Sequence, residues 1–333
     1  MAAVFLRRLS AVFALLVAAC VLVSSPVWAD PDEGGSKTLR DALESAAKGQ
    51  AVAIQKLNTS KKRQTDLALA VKQRTASAKS LEGQVGEIAN RSYRMGRTST
   101  MAMLLNASSP DVFLERVQHL DMLAQLDGQV LEQYRDDLAQ ATAAKAAIDQ
   151  EIKVQQQQVA ALTKKKKEAE LALGSVGGGG AAGGFVNANS PLAKPAPRNS
   201  DGSWPKESCT VDDPTTTGCI TPRTLHAYQQ ARSAGFTHYT SCFSKRDSGE
   251  HPKGRACDFS ANASGFQNVA ASGSDKTYGS NLAAYFVKNA DRLGIMYVIW
   301  YRQIWMPGTG WKAYSASGGP SVVHTNHVHL SML

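Results

Sequence analysis

Between residues 35 and 172 the chain has no cysteine, no tryptophan and one proline, Pro110. A stretch so poor in breakers and crosslinks is not a disulfide-framed fold, and its Ala, Leu, Gln, Lys and Glu content reads as long helices. Beyond the first 29 residues no apolar run reaches 18 residues, so nothing there is expected to cross a membrane as a helix. No Cys-x-x-Cys pair occurs, which argues against a cysteine-rich zinc site. No Gly-x-Ser-x-Gly occurs either, which sets aside a serine hydrolase built on Ser241 or Ser244. Cysteine is scarce and one-sided: of five, four (Cys209, Cys219, Cys242 and Cys257) lie in the last 130 or so residues.

The formal net charge is +9. That would suit nucleic acid, membranes or anionic wall polymers. Residues 1–29 favour the last two over nucleic acid, because they read as a signal peptide. Arg7 and Arg8 form the charged start, residues 11–23 the apolar region, and Val27-Trp28-Ala29 a small-residue cleavage site. A retained anchor is one alternative. Lipid attachment at Cys20 is another, disfavoured because the apolar segment continues past it. Export to the cell envelope or beyond accords with an even number of remaining cysteines. Three pairings are open. Cys209–Cys219 and Cys242–Cys257 are favoured, the second bracketing the loop that carries His251.

Apolar residues at spacings of three and four (Leu39, Leu43, Ala46, Ile54, Leu57, Leu81, Val85, Ile88; then Leu120, Leu123, Val130, Leu138, Ala141, Ile148, Ile152) predict two long helices paired as a coiled coil over residues 35–172. One helix is expected to end near Gly96 and the next to start at Pro110, with Ser109 as N-cap. Lys164 to Lys167 reads as a solvated helix end. Residues 173–200, rich first in Gly and then in Pro, read as a linker, flexible and then stiffer.

Chemistry concentrates near the C-terminus, in Glu250-His251-Pro252-Lys253-Gly254-Arg255-Ala256-Cys257-Asp258 and Asn326-His327-Val328-His329. Residues i and i+2 of a strand share a face, so His327 and His329 are expected to project side by side. Two imidazoles and a carboxylate leave a tetrahedral zinc ion one open position for water. Gly254 suits a turn that brings His251 and Asp258 together.

The pattern His-x-x-Gly-x-x-x-Asp followed by His-x-His resembles the LAS zinc peptidases, the lysostaphin-type endopeptidases and D-Ala-D-Ala carboxypeptidases. The resemblance implies zinc on His251, Asp258 and His329, with His327 as the catalytic histidine, and a peptidase acting on peptidoglycan. Many carboxypeptidase members carry a Glu before the last His. No Glu follows Glu250 here, so the match is nearer the His-x-His members. Arg255 could hold a peptide carboxylate; Arg246, Tyr301, Arg302 and Gln303 are weaker candidates, and His324 reads as a surface or supporting residue.

The stretch from Tyr93-Arg94-Met95-Gly96 through Leu104-Leu105, Ala107-Ser108-Ser109 and Phe113-Leu114-Glu115-Arg116 resembles the hairpin tip of coiled-coil regulatory domains in secreted peptidoglycan hydrolases and amidase activators. That resemblance implies restraint of the hydrolase and a membrane transporter-like partner at the tip. Residues 201–333 are then a small α+β domain with a mostly antiparallel sheet and a zinc site, behind an all-α hairpin. Strands are expected at 236–243, 256–260, 295–301, 303–306, 311–314 and 322–330. Helices are expected after Thr221 and from a Ser280 cap to Gly294. A non-catalytic wall-binding or activator protein is the rival reading, and a coiled-coil scaffold with an adhesive cap a third.

Overall fold

The structure is a computed structural model that describes residues 36–333. The signal-peptide reading and Cys20 lie outside the described residues. Two compact units are present. One comprises residues 49–167 with 200–203; the other comprises residues 168–199 and 204–333 together with the start of the first helix, up to Lys48.

The first unit is a helical hairpin. Helix α1 spans Lys37–Leu105 and is kinked at Gly96, whose φ of 53° and ψ of 174° leave the helical region. Helix α2 spans Pro110–Gly174. Ser109 caps it, its hydroxyl accepting from Val112 N at 3.3 Å. The expected break at Gly96 is thus a kink, and helical geometry resumes through Leu105 before the chain turns.

The two helices pair within one chain, antiparallel. Ala53, Ala78, Ile88 and Ala141 are buried along the seam. Polar contacts fix the register: Ser60 Oγ donates to Glu151 Oε2 at 2.6 Å, Gln155 Nε2 to Gln64 Oε1 at 2.9 Å, and Arg74 Nη1 to Asp137 Oδ1 at 3.0 Å. At the tip Tyr93, Met101, Leu105 and Leu114 are exposed.

The second unit carries the sheet. A two-stranded ribbon, β1 (Val211–Asp212) and β2 (Cys219–Ile220), holds the Cys209–Cys219 disulfide. Helix α3 (Pro222–Ser233) follows, capped by Thr221 as the Thr-Pro sequence predicts. Strand β3 (Thr240–Ser241) is far shorter than the expected 236–243. A short 3-10 turn at His251–Lys253 leads into β4 (Ala256–Ser260). Helix α4 is Gly273–Lys288 and α5 is Ala290–Leu293, closed by Gly294 in the left-handed region. Ser280 therefore lies inside α4, not at its start. Its hydroxyl bonds Lys276 O at 2.8 Å and accepts from Trp300 Nε1 at 3.2 Å.

Strands β5 (Ile295–Trp300), β6 (Gln303–Met306), β7 (Gly310–Ala313) and β8 (His327–Met332) complete the sheet. Its order is β3-β4-β8-β5-β6-β7, with antiparallel pairing throughout. Residues 322–326, expected in the last strand, instead form a turn. His324 has φ of 53°, which no strand residue adopts.

The strands alternate between two cores. Phe259, Val298, Trp300, Val328, Leu330 and Met332 face α3 and α4. On the other face Met296, Tyr297, Ile299, Ile304, Met306 and Tyr314 pack against Leu39, Leu43, Ala46 and Ala47 of α1 and Ala169 and Leu173 of α2. Leu39, Leu43 and Leu173 are almost fully buried there. At roughly 2 kcal/mol for each buried leucine, the three contribute on the order of 6 kcal/mol, within the range of a whole domain's net stability. The helix ends are thus part of the sheet unit's core, although the spacing that placed them in helices was continuous with the hairpin.

The glycine-rich segment is not a free linker. Gly179 N donates to Ala313 O and Ala313 N to Gly180 O, both at 2.9 Å, and Ala181 bridges Lys312. Gly184 has φ of 68°, and a Cβ there would stand 2.1 Å from Trp311. Small residues let this segment lie flat along β7, with Phe185 edge-on to Trp311 at 5.2 Å. The proline-rich half is tied down by Ala193 N to Asn289 Oδ1 and Ala196 N to Arg292 O, each 2.8 Å.

Candidate metal centre

Asp258 and His329 are direct partners across β4 and β8, and Phe259 and Val328 alternate with them into the opposite core. His251 comes from the 3-10 turn. Gly254 ends that turn with φ of 67°, its N–H donating to His251 O at 2.9 Å and its carbonyl accepting from Thr221 N at 2.9 Å. A Cβ on Gly254 would fall 2.6 Å from Cys209 Sγ and 2.8 Å from Ile220 Cα. Only glycine fits both that backbone conformation and that space. The Cys242–Cys257 disulfide spans the same loop. Both favoured cysteine pairings are formed, which accords with an extracytoplasmic protein. None of the described helices is long and apolar enough to cross a membrane.

His251, Asp258 and His329 offer three ligand atoms within 4.8 Å of one another, all buried. His251 Nε2 lies 3.2 Å from Asp258 Oδ2 and 3.4 Å from His329 Nδ1, and His329 Nδ1 lies 2.8 Å from Asp258 Oδ1. The remaining ring nitrogens have partners. His251 Nδ1 faces the carbonyl of Cys242, which only accepts, so Nδ1 carries the proton and Nε2 presents its lone pair to the cluster. Ser331 Oγ, 2.8 Å from His329 Nε2, accepts from that nitrogen when Nδ1 serves as ligand. Such outer partners orient metal-binding imidazoles. Asp258 Oδ2 is buried and has no hydrogen-bond partner. A cation at the shared point would satisfy it, so the donor set fits a metal ion.

Burial alone would raise the pKa of Asp258. The charge interactions with the adjoining His251 and His327 outweigh it and hold the group well below the ordinary value, as a carboxylate. His327 is fully buried, and that burial lowers its pKa to about 4 against the pull of Asp258. Its Nε2 stands 3.5 Å from Asp258 Oδ1. It therefore points at the cluster without belonging to the three-ligand group. His324 is also buried, with its ring 4.8 Å from His327 and 5.6 Å from His329. Burial and the neighbouring His327 lower its pKa strongly. It is a wall of the centre, not a surface residue.

Arg255 has a different setting. Its Nη2 is 2.9 Å from Glu44 Oε1 and 2.6 Å from Glu250 Oε2. Lys253 Nζ joins the same two carboxylates at 2.9 Å each. Burial raises Glu250 to about 7, with Glu44 adding to the rise and Arg255 and Lys253 opposing it. Arg246, one of the weaker candidates, is nearer the centre, 3.8 Å from Asp258 Oδ2. Tyr301 and Arg302 form the β5–β6 turn in left-handed conformations, and Gln303 Oε1 accepts from Gly184 N at 2.9 Å.

Sequence reasoning missed Ser331, Asn326 and Tyr297. Ser331 shares the face of His329 by the same i+2 rule and could have been read. Tyr297, stacked on His329 with ring centroids 5.7 Å apart, could not, since a bulge in β5 sets its face.

Residues 216–327 match the family model described as VldE, C-terminal domain. The match covers His251, Arg255, Asp258 and His327 and stops two residues short of His329. No curated protein and no solved structure matches the chain.

Proposed function

We propose that this chain is a secreted bacterial zinc peptidase of LAS type, hydrolysing a peptide bond in peptidoglycan stem peptides or cross-links. The observation that carries the reading is the lone-pair arrangement: His251 Nε2, His329 Nδ1 and Asp258 Oδ2, which has no hydrogen bond, converge on one buried point. Two histidines and one carboxylate suit zinc and leave a position for water. A bound zinc ion would polarise the scissile carbonyl and acidify that water. His251, Asp258 and His329 would hold the ion. His327 Nε2 would take the proton from water as its oxygen bonds the carbonyl carbon, and give it to the amine nitrogen as the C–N bond breaks.

The ligands and His327 are at most 1% exposed, and the ends of α1 and α2 pack beside His329 on the same sheet face through Tyr297 and Ile299. Peptide access in this reading requires those helix ends to move. That supports regulation through the helices and a partner at the exposed tip, which the likeness to hydrolase regulatory domains implies. The same burial favours the rival, a non-catalytic activator or wall-binding protein that keeps the fold.

The two are separated by incubating the full chain, and a Leu43→Asp variant designed to loosen the helix ends, with purified peptidoglycan fragments, with zinc and with chelator. Mass spectrometry reads the products. Zinc-dependent cleavage, larger in the variant and lost with His329→Ala, is expected. Zinc-loaded protein that cleaves nothing in either form would overturn the peptidase reading in favour of the activator.

A further inference from the structure

We propose that Asn326 is a positioning residue that fixes the tautomer of His327, so that its Nε2 lone pair faces the metal centre. The role in turnover rests on the peptidase reading; the tautomer does not. Asn326 is 3% exposed. Its Nδ2 donates to Gln267 O at 2.7 Å and lies 2.9 Å from Ser321 Oγ. A carbonyl can only accept, so a flipped amide would set Oδ1 against Gln267 O, and the orientation is determined by the protein. Oδ1 then faces His327 Nδ1 at 2.8 Å. An amide oxygen also only accepts, so Nδ1 must carry the hydrogen.

In the neutral ring that leaves Nε2 as an acceptor. This nitrogen is buried, has no hydrogen-bond partner, and stands 3.5 Å from Asp258 Oδ1. Two acceptors facing each other in a dry site are unfavourable unless something with positive charge or a proton to give lies between them. Water activated at the centre is such a donor. The opposite tautomer would leave Nδ1 against Asn326 Oδ1 and nothing to take the proton. An amide makes this choice without placing a second carboxylate beside Asp258. Asn326 and Gln267 also line a cavity of about 510 Å³ with Ala261, Asn262 and Asp275.

The test uses the full chain labelled with ¹⁵N-histidine, zinc-free and zinc-loaded, at neutral pH. Ring ¹⁵N shifts of His327, assigned by its loss in His327→Gln, report the tautomer directly. The wild type is expected to show Nδ1–H. Asn326→Ala is expected to lose that signature and to lower kcat about 10- to 100-fold, the usual effect of removing an outer partner, with KM little changed. If the alanine variant does not fold, the ring shifts of the wild type alone decide. An Nε2–H ring in the wild type, or an unchanged ring in folded Asn326→Ala, overturns the proposal. An Nδ1–H ring in a chain that cleaves no peptide would sink the peptidase reading and leave the tautomer assignment standing.

Discussion

Glu44, in the second turn or so of α1, holds Arg255 at 2.9 Å, three residues before Asp258 in sequence. The same carboxylate reaches Lys253, between His251 and Arg255. The start of the first helix is thus bonded to the loop that carries His251. Replacing Glu44 by alanine leaves Arg255 and buried Glu250 to each other. It is expected to cost about 1–3 kcal/mol, the scale of a hydrogen bond to a charged group. Hydrogen exchange of the amides at 249–255 should rise. Unchanged exchange and unchanged denaturation would show the contact to be idle.

Gly254→Ala tests the turn. The added Cβ meets Cys209 Sγ at 2.6 Å and Ile220 Cα at 2.8 Å in a left-handed backbone. Strain of this kind costs roughly 1–3 kcal/mol before the clash is counted. Loss of stability by chemical denaturation is expected, together with weaker metal binding, because His251 moves with the turn. A variant with wild-type stability and affinity would remove the turn from the account of the site.

Metal addition should stabilise the wild type at about one equivalent of zinc. At a free concentration 100 times Kd the gain is about 2.7 kcal/mol. Asp258→Asn and His329→Ala should each abolish most of the rise in Tm measured by scanning fluorimetry. A rise that survives both would place the ion elsewhere.

The zinc-free protein should weaken as pH falls from 6.5 towards 4. Burial depresses His327 from 6.5 to about 4 and lowers His324 in the same direction. Between those values the unfolded chain binds the extra protons, so stability is complete above 6.5 and drains away on acidification. Each group contributes a slope of at most about 1.4 kcal/mol per pH unit. Glu250, raised from 4.5 to about 7, works the other way over this range, while Glu44, held well below 4.5 against its burial by Lys48 and Lys253, adds to the loss as pH 4 is approached. Asp258, held well below 3.8, adds a further loss only below that value. Urea midpoints at pH 7, 6, 5 and 4 give the curve; a flat one contradicts the buried neutral rings.

What could be read from the sequence was local. The spacing of apolar residues gave the helices, Thr221-Pro222 the start of α3, the strand expected at 256–260 is β4 to the residue, and the i+2 rule put His327 and His329 on one face. Ser280 misled because a serine before an apolar run has the same pattern whether it caps a helix or, as here, receives Trp300 Nε1 within one. The run at 322–330 misled because Val322 and Val323 are strand formers overruled by a turn that accepts backbone bonds from the β5–β6 turn, with Tyr301 N donating to His324 O at 2.7 Å. That Leu39, Leu43 and Leu173 cover a sheet rather than only each other is a long-range fact, invisible to periodicity.

Strand β8 is last of the six in sequence yet third in the sheet, between β4 and β5. Until it inserts, the sheet is two unconnected fragments: β3 with β4 on one side, and the β5-β6-β7 meander on the other. Pairing across such sequence distance is slow relative to local hairpins. The keystone strand also carries His329, so sheet closure and assembly of the His251, Asp258 and His329 cluster are one event. Before β8 inserts, the chain has neither a finished sheet nor the His251, Asp258 and His329 cluster.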